Sequence, residues 1–199
     1  MAGRSATEDH VLRPALRGAR VAVLLVGLAL PLAGCPSAPS TASPISATPF
    51  PPRPATVDVT GRHPCDLLDA TRRAEFGLDN GRPGEVTVDG RRSPTCIYLG
   101  RTAKIDSSVQ FLPVPAADLA RAPGAELETL AGYGVVRSSD SSDTLPACDI
   151  VVDIGDDVSL RTQSQALSTN LRSAGLTDDA LCGRSRDLAN AVLAELTRR

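Results

Sequence analysis

Five cysteines in a 199-residue chain divide into one and four. Cys65, Cys96, Cys148 and Cys182 are spread along the body of the chain. Cys35 stands apart, where a greasy run gives way to Pro, Ser and Ala. An even set of cysteines in an oxidising compartment closes into disulfides, and two covalent loops restrict a small domain more tightly than local propensity does. Whether that constraint applies depends on the compartment, which residues 1–35 indicate.

Arg13, Arg17 and Arg20 form a positive flank, and Val21 to Leu32 form a nearly unbroken apolar run of 12 residues. A helix that crosses a bilayer needs about 20 residues, so this run is too short to span and fits the apolar core of a signal peptide. No matching amphipathic face follows it, which argues against an ordinary buried helix. The run closes on Leu32-Ala33-Gly34-Cys35, which resembles the bacterial lipobox. In lipoproteins of that type the Cys sulfur receives diacylglycerol and cleavage follows just before it. Small Ala and Gly suit the peptidase. Residues 1–34 are therefore expected to be a lipoprotein signal peptide and Cys35 the lipidated residue. The flank before the run is long, which allows a start codon further downstream. It has no paired arginines, which favours the general secretory route.

Pro36 to Pro54, "PSAPSTASPISATPFPPRP", holds seven prolines in 19 residues, with Ser, Thr and Ala filling most of the rest. Such a segment cannot bury enough apolar surface to fold, and its prolines favour the extended polyproline conformation. At about 3.1 Å per residue it reaches up to about 60 Å. Its Ser and Thr are candidate sites for O-glycosylation. The expected layout is residues 35–54 as lipidated tether and 55–199 as globular domain.

Export makes the remaining four cysteines a disulfide framework with three possible pairings. Cys65–Cys96 and Cys148–Cys182 are favoured, because each joins a predicted helix end to a predicted strand and closes a loop of similar length. Zinc is disfavoured: no CxxC or HxxxH spacing occurs, and His63 is the only histidine after residue 35. Hydrophobic residues make up 42% of the chain and aromatics only 3%, so a core is attainable but must be built from Val, Leu, Ile and Ala. Net charge is −2, and removing residues 1–34, with four Arg and two acids, leaves −2 − 2 = −4. An acidic domain lacks the basic patch that nucleic-acid binding requires.

Periodicity places the elements. "DLLDATRRAEFG" reads as a short helix capped by Asp66 or Asp69, with Leu67, Leu68 and Phe76 inward and Gly77 ending it. "EVTVDG" is a short strand, and "TCIYLG" and "SSVQFL" form a hairpin across "RTAK". "PAADLARA" is a weak helix opened by Pro115. "YGVVR" is a strand, with Ser138 to Asp143 a polar loop after it. "CDIVVDI" and "VSLRTQS" flank Gly155-Asp156-Asp157 as a second hairpin, and the apolar run of the former suggests a central strand. "TDDALCGRSRDLANAVLAELTRR" is the clearest helix, capped by Thr177, with Leu181, Leu188, Val192 and Leu196 at helical spacing and Leu193 beside them. The fold expected is α+β, an antiparallel sheet with helices packed on one face and two disulfides.

The order of motifs, "HPCDLLDATRRAEFG", then "CIY", "ACDIVVDI" and "LCGRSRDLANAVLAEL", resembles the domain-of-unknown-function family numbered three-five-five-eight, common among lipoproteins of high-GC Gram-positive bacteria. The likeness runs from about Val57 to Thr197. Many relatives carry Trp after the second Cys where this chain has Tyr98, which implies lighter aromatic packing. The resemblance implies architecture and location at the cell membrane, not a reaction.

Candidate chemistry is sparse. His63 and Cys65 suggest a thiol–imidazole pair, but a disulfide-bonded Cys65 and a surface His63 fit better. The sequence holds no G-x-S-x-G elbow, S-x-x-K or P-loop. Asp153, Asp156 and Asp157 suggest calcium, but the EF-hand spacing and its closing Glu are missing, so a polar hairpin tip fits better. "SSDSSD" at Ser138–Asp143 reads as a solvated loop. Arg72-Arg73 and Arg91-Arg92 suit anionic head groups or wall polymers, or simply a solvated face. No catalytic residue, metal or cofactor is assigned. The favoured function is an anchored extracytoplasmic lipoprotein that binds an envelope protein, lipid or small molecule. The alternative is an envelope enzyme of hydrolase type whose site forms only in the fold.

Anchoring is directly testable. Cys35→Ala should block lipidation and leave unprocessed or freely released protein. Detergent phase partitioning reads this out, and a mature mutant that still enters the detergent phase defeats the assignment.

Overall fold

The computed structural model describes residues 49–100, 104–140, 145–167 and 176–198. The readings on residues 1–48, Cys35 among them, fall outside these residues, as do Ser141, Ser142 and Asp143 of the polar loop.

Seven strands form one antiparallel sheet: β1 (Arg82–Val88), β2 (Arg91–Tyr98), β3 (Ile105–Leu112), β4 (Glu126–Leu130), β5 (Tyr133–Asp140), β6 (Ala147–Val152) and β7 (Ser159–Ala166), with the burial alternation clearest in β7. They lie in the order β1-β2-β3-β7-β6-β5-β4. The two expected hairpins are present. β6 is an interior strand beside the central β7 rather than the centre itself. β4 was not expected from the sequence. It joins β5 through Ala131 (φ 50°) and Gly132 (φ 86°), and two consecutive left-handed residues make a turn whose twist suits a hairpin. β5 runs on through Asp140, with Ser138 opposite Asp149 and Ser139 opposite Cys148, so the first half of the expected polar loop is strand.

The expected N-terminal helix splits in two. Pro64–Leu67 forms a 3-10 turn capped by His63, and α1 (Ala70–Glu75) is capped by Asp69, whose side chain accepts from the Arg72 N–H. Gly77 (φ 61°) ends α1 in the left-handed conformation, and the Leu78 N–H reaches the Arg73 carbonyl at 2.8 Å. α3 (Asp178–Leu196) is capped by Thr177 as read, and buries Leu181, Leu188, Val192, Leu193 and Leu196.

The 3-10 turn and α3 cover one face of the sheet, where Leu68, Val109, Phe111, Ile150, Val152, Leu160 and Leu188 form the main core. α2 (Ala116–Leu119) is the departure from a one-faced helical layer. Its Ala116 packs with Leu112, Val114, Val136 and Val151, whose neighbours Phe111, Val135 and Val152 point to the other side. Side chains alternate along a strand, so α2 lies on the reverse face. Beyond α2 that face is largely polar, with Val86 and Ile97 exposed on it. Arg161 grips Asp149 through two hydrogen bonds of 3.0 and 3.1 Å, donates to Gln110 Oε1 at 3.1 Å, and Gln110 donates to Ser93 Oγ at 2.8 Å. Burial pushes the Asp149 carboxyl above its ordinary pKa, against the pull of Arg161.

Both favoured disulfides are formed. Cys65–Cys96 ties the 3-10 turn to β2, and Cys148–Cys182 ties β6 to α3. Tyr98 is fully buried beside the first bridge, and its hydroxyl has no partner among the described residues. Burial pushes its pKa up to about 12.

The bridges close loops of 31 and 34 residues, so their effect on the unfolded chain is nearly equal. Their surroundings differ: Cys148 and Cys182 are both buried, whereas Cys65 is half-exposed. Either double Ser variant should lose about 2–5 kcal/mol. Cys148→Ser/Cys182→Ser should lower the melting midpoint more, because it also buries two hydroxyls under α3. Equal midpoints sink that ranking.

Candidate functional site

The site begins in the segment read as tether. Phe50 is buried on the reverse face among Leu112, Val114, Ala116, Val136 and Val151. It lies flat on Gly134, where an added Cβ would stand 2.3 Å from the phenyl ring. Three residues on, Arg53 donates from Nε to Asp153 and from Nη2 to Asp156, both at 2.7 Å. Burial opposes the charge on Arg53, but the two carboxylate bonds outweigh it and hold its pKa above the ordinary value. Pro54 covers Gly132, and the Val57 N–H donates to the Ile154 carbonyl at 3.0 Å. Residues 50–57 thus form a strap across the end of the sheet that carries the β4–β5 and β6–β7 turns. The domain starts at least five residues before Ala55, so the boundary expected from the sequence moves to Phe50. The one aromatic in a Pro/Ser/Thr/Ala segment was the available signal.

The strap divides two clefts. The first, of about 670 Å³, runs from the start of β2 across the end of β3 to the β6–β7 turn. Its floor is apolar, with Phe111, Pro94, Pro113, Val59 and Val158, and its rim carries Arg62, Arg91, Arg92, Asp58, Asp156 and Asp157. The second, of about 660 Å³, lies between the strap and the C-terminal turns of α3, over Val57, Tyr133, Leu193 and Leu196, with Asn190 and Arg198 at its edge. Thr56, Val57 and Asp58 line both. Volumes of this size are ordinary for small-ligand sites.

The residues singled out from sequence separate into those at the clefts and those elsewhere. Arg91 and Arg92 reach the first cleft, where Arg92 pairs with Glu85 at 2.6 Å. Arg72 pairs with Glu75, and Arg73 donates to the Leu68 carbonyl, so that pair stabilises α1. His63 Nδ1 accepts from the Cys65 N–H at 3.2 Å, while the Cys65 sulfur is held by Cys96. Asp153 and Asp156 share Arg53 rather than converging on an ion, and no group of three metal-type ligands occurs among the described residues.

A family model described as "Protein of unknown function (DUF3558)" matches residues 30–195. The chain belongs to the DUF3558 family. The match takes in Cys35, the Pro/Ser segment, the strap, the whole sheet and nearly all of α3, so it reaches further towards the N-terminus than the likeness read from the cysteine motifs. No curated protein and no solved structure matches the chain.

In this DUF3558 chain the fit of Phe50 on Gly134 predicts strong coupling. Gly134→Ala should destabilise the native domain, because its methyl collides with the phenyl ring. In a Phe50→Ala background the same change should cost far less, since the ring's space is empty. A double-mutant cycle should give a coupling of about 1–3 kcal/mol. Additive losses would show that the strap is not seated on Gly134.

Proposed function

We propose that the chain is a non-enzymatic binding module, lipid-anchored through Cys35 at the extracytoplasmic face of the cell membrane, which takes its ligand in the clefts beside the strap. The observation that carries this reading is that one segment, residues 50–58, is both the end of the tether and the wall shared by two clefts. A domain built to bind near a surface benefits from placing its site where its leash attaches.

Several features support anchoring. The apolar run, the lipobox and the Pro/Ser segment follow one another in the order a lipoprotein needs. The family match begins at residue 30, upstream of Cys35. Two disulfides suit an oxidising compartment. With Phe50 docked, the free tether shrinks to residues 36–49, which at about 3.1 Å per residue spans at most about 45 Å. Among the described residues no helix is long and apolar enough to cross a membrane. The cleft walls offer apolar surface and fixed charges, chemistry suited to holding a ligand. The partner classes are an envelope protein, a lipid or a small molecule.

Native mass spectrometry of the full chain, taken from its own membrane in mild detergent, tests the reading. A co-purifying mass that Val59→Arg or Arg91→Ala removes is expected. No bound mass, or one indifferent to both changes and to Asn190→Arg in the second cleft, overturns it.

A further inference from the structure

The first cleft carries opposite charges on opposite walls. Arg91 and Arg92 open β2, whereas Asp156 and Asp157 sit on the turn between β6 and β7, and β3 lies between them. Strands are spaced about 4.8 Å apart, so two spacings set the walls about 10 Å from each other. The charges are not equally committed. Arg92 is paired with Glu85 and Asp156 with Arg53. Arg62 and Arg91 have no ion-pair partner among the described residues, and neither has Asp157. The cleft is therefore lined by the unpaired guanidinium groups of Arg62 and Arg91 and by the unpaired carboxylates of Asp157 on the β6–β7 turn and Asp58 on the strap side, with Phe111 and Pro113 as an apolar floor.

Resting on the binding-module reading, we propose that this cleft takes a short dipolar peptide. Its carboxylate would face Arg91 and Arg62, and its free amine would face Asp157. Three extended residues at about 3.3–3.6 Å each match the distance between the walls. An apolar middle side chain would lie over Phe111. The amine and phosphate of an ethanolamine head group are separated by only two carbons, too few to reach both walls, so the spacing favours a peptide over that lipid. Carboxylate–guanidinium bonds are charge-assisted and stronger than neutral ones, so each end should contribute separately.

The experiment titrates the full chain in detergent with Ala-Leu-Ala, with its N-acetyl form and with its C-terminal amide, by calorimetry. The free tripeptide should bind saturably, and each cap should weaken binding by about tenfold or more, the scale of one lost charge-assisted contact. Asp157→Asn should abolish the preference for a free amine while keeping the preference for a free carboxylate. Arg62→Ala/Arg91→Ala should do the reverse. Equal binding of free and capped peptides, no binding, or variants that leave the preferences intact would overturn the peptide assignment. If that happens while the native spectrum still shows a bound mass that Arg91→Ala removes, only the peptide class fails. An empty native spectrum sinks the binding-module reading as well.

Discussion

α3 lying across β6 and β7 sets the rest of the structure. With so few aromatics, the contact is made by aliphatic side chains: Leu188, Val192 and Leu193 above Ile150, Val152 and Leu160. Each such side chain, fully buried, stabilises by about 1.5–3 kcal/mol. The layer also holds Ser185, Thr162 and Ser164, which are completely buried. Thr162 donates to the Ser185 carbonyl, and the Ser185 hydroxyl donates to the Cys148 carbonyl, both at 2.8 Å. These bonds fix the helix to one position on the sheet, which aliphatic packing alone specifies less tightly. The Cys148–Cys182 bridge anchors the helix at its first turns. The ionic contacts of Arg186 with Glu128 and of Arg137 with Asp179 carry the same helix over to β4 and β5.

The clefts follow from that placement. Because α3 starts over the beginning of β6, its last turns come out over the end of β6 and the start of β5, where Tyr133 and Leu196 are buried. The strap can then lie between this helix end and the β6–β7 turn. Arg53 is central to the arrangement. Asp153 is almost completely buried, and a buried carboxylate without a counter-ion is costly, so the turn requires a cation that the strap supplies. Near the end of the Pro-rich segment, the apolar side chain of Phe50 and then the guanidinium of Arg53 each find a prepared place.

Much of the fold was legible because its strongest signals are local. Apolar residues at helical spacing after a Thr cap mark α3, and Gly155 with two aspartates marks the β6–β7 turn. The cysteine pairing followed from placing helix ends against strands. β4 was not legible for a physical reason: in Glu-Leu-Glu-Thr-Leu only Leu130 is buried, and Leu127 is half-exposed at the sheet's edge, so the alternation has almost no contrast. α2 went to the reverse face because Leu112 and Val151 leave an apolar patch there, a property of paired strands rather than of any single segment. The candidate site was less readable still. Arg91 and Arg92 stood out as a pair, but their opposition to Asp157 depends on β3 lying between β2 and β7, which is a matter of strand order. Phe50 and Arg53 were hidden by composition, since seven prolines outweigh one aromatic and one charge.

The shared wall has a thermodynamic consequence. Thr56, Val57 and Asp58 line both clefts, so a ligand in either touches the strap. A ligand that binds only while the strap is docked stabilises the docked state by RT ln(1 + [L]/Kd), about 2.7 kcal/mol at a hundredfold excess over Kd. Linkage is reciprocal, so whatever loosens the strap must weaken binding by the same factor. Phe50 and Arg53 line neither cleft, yet their burial and ion pairs dock the same strap whose Val57 N–H bonds the Ile154 carbonyl. The strap is therefore coupled to both clefts through Phe50 and Arg53, and no longer pathway through the sheet is needed to connect them.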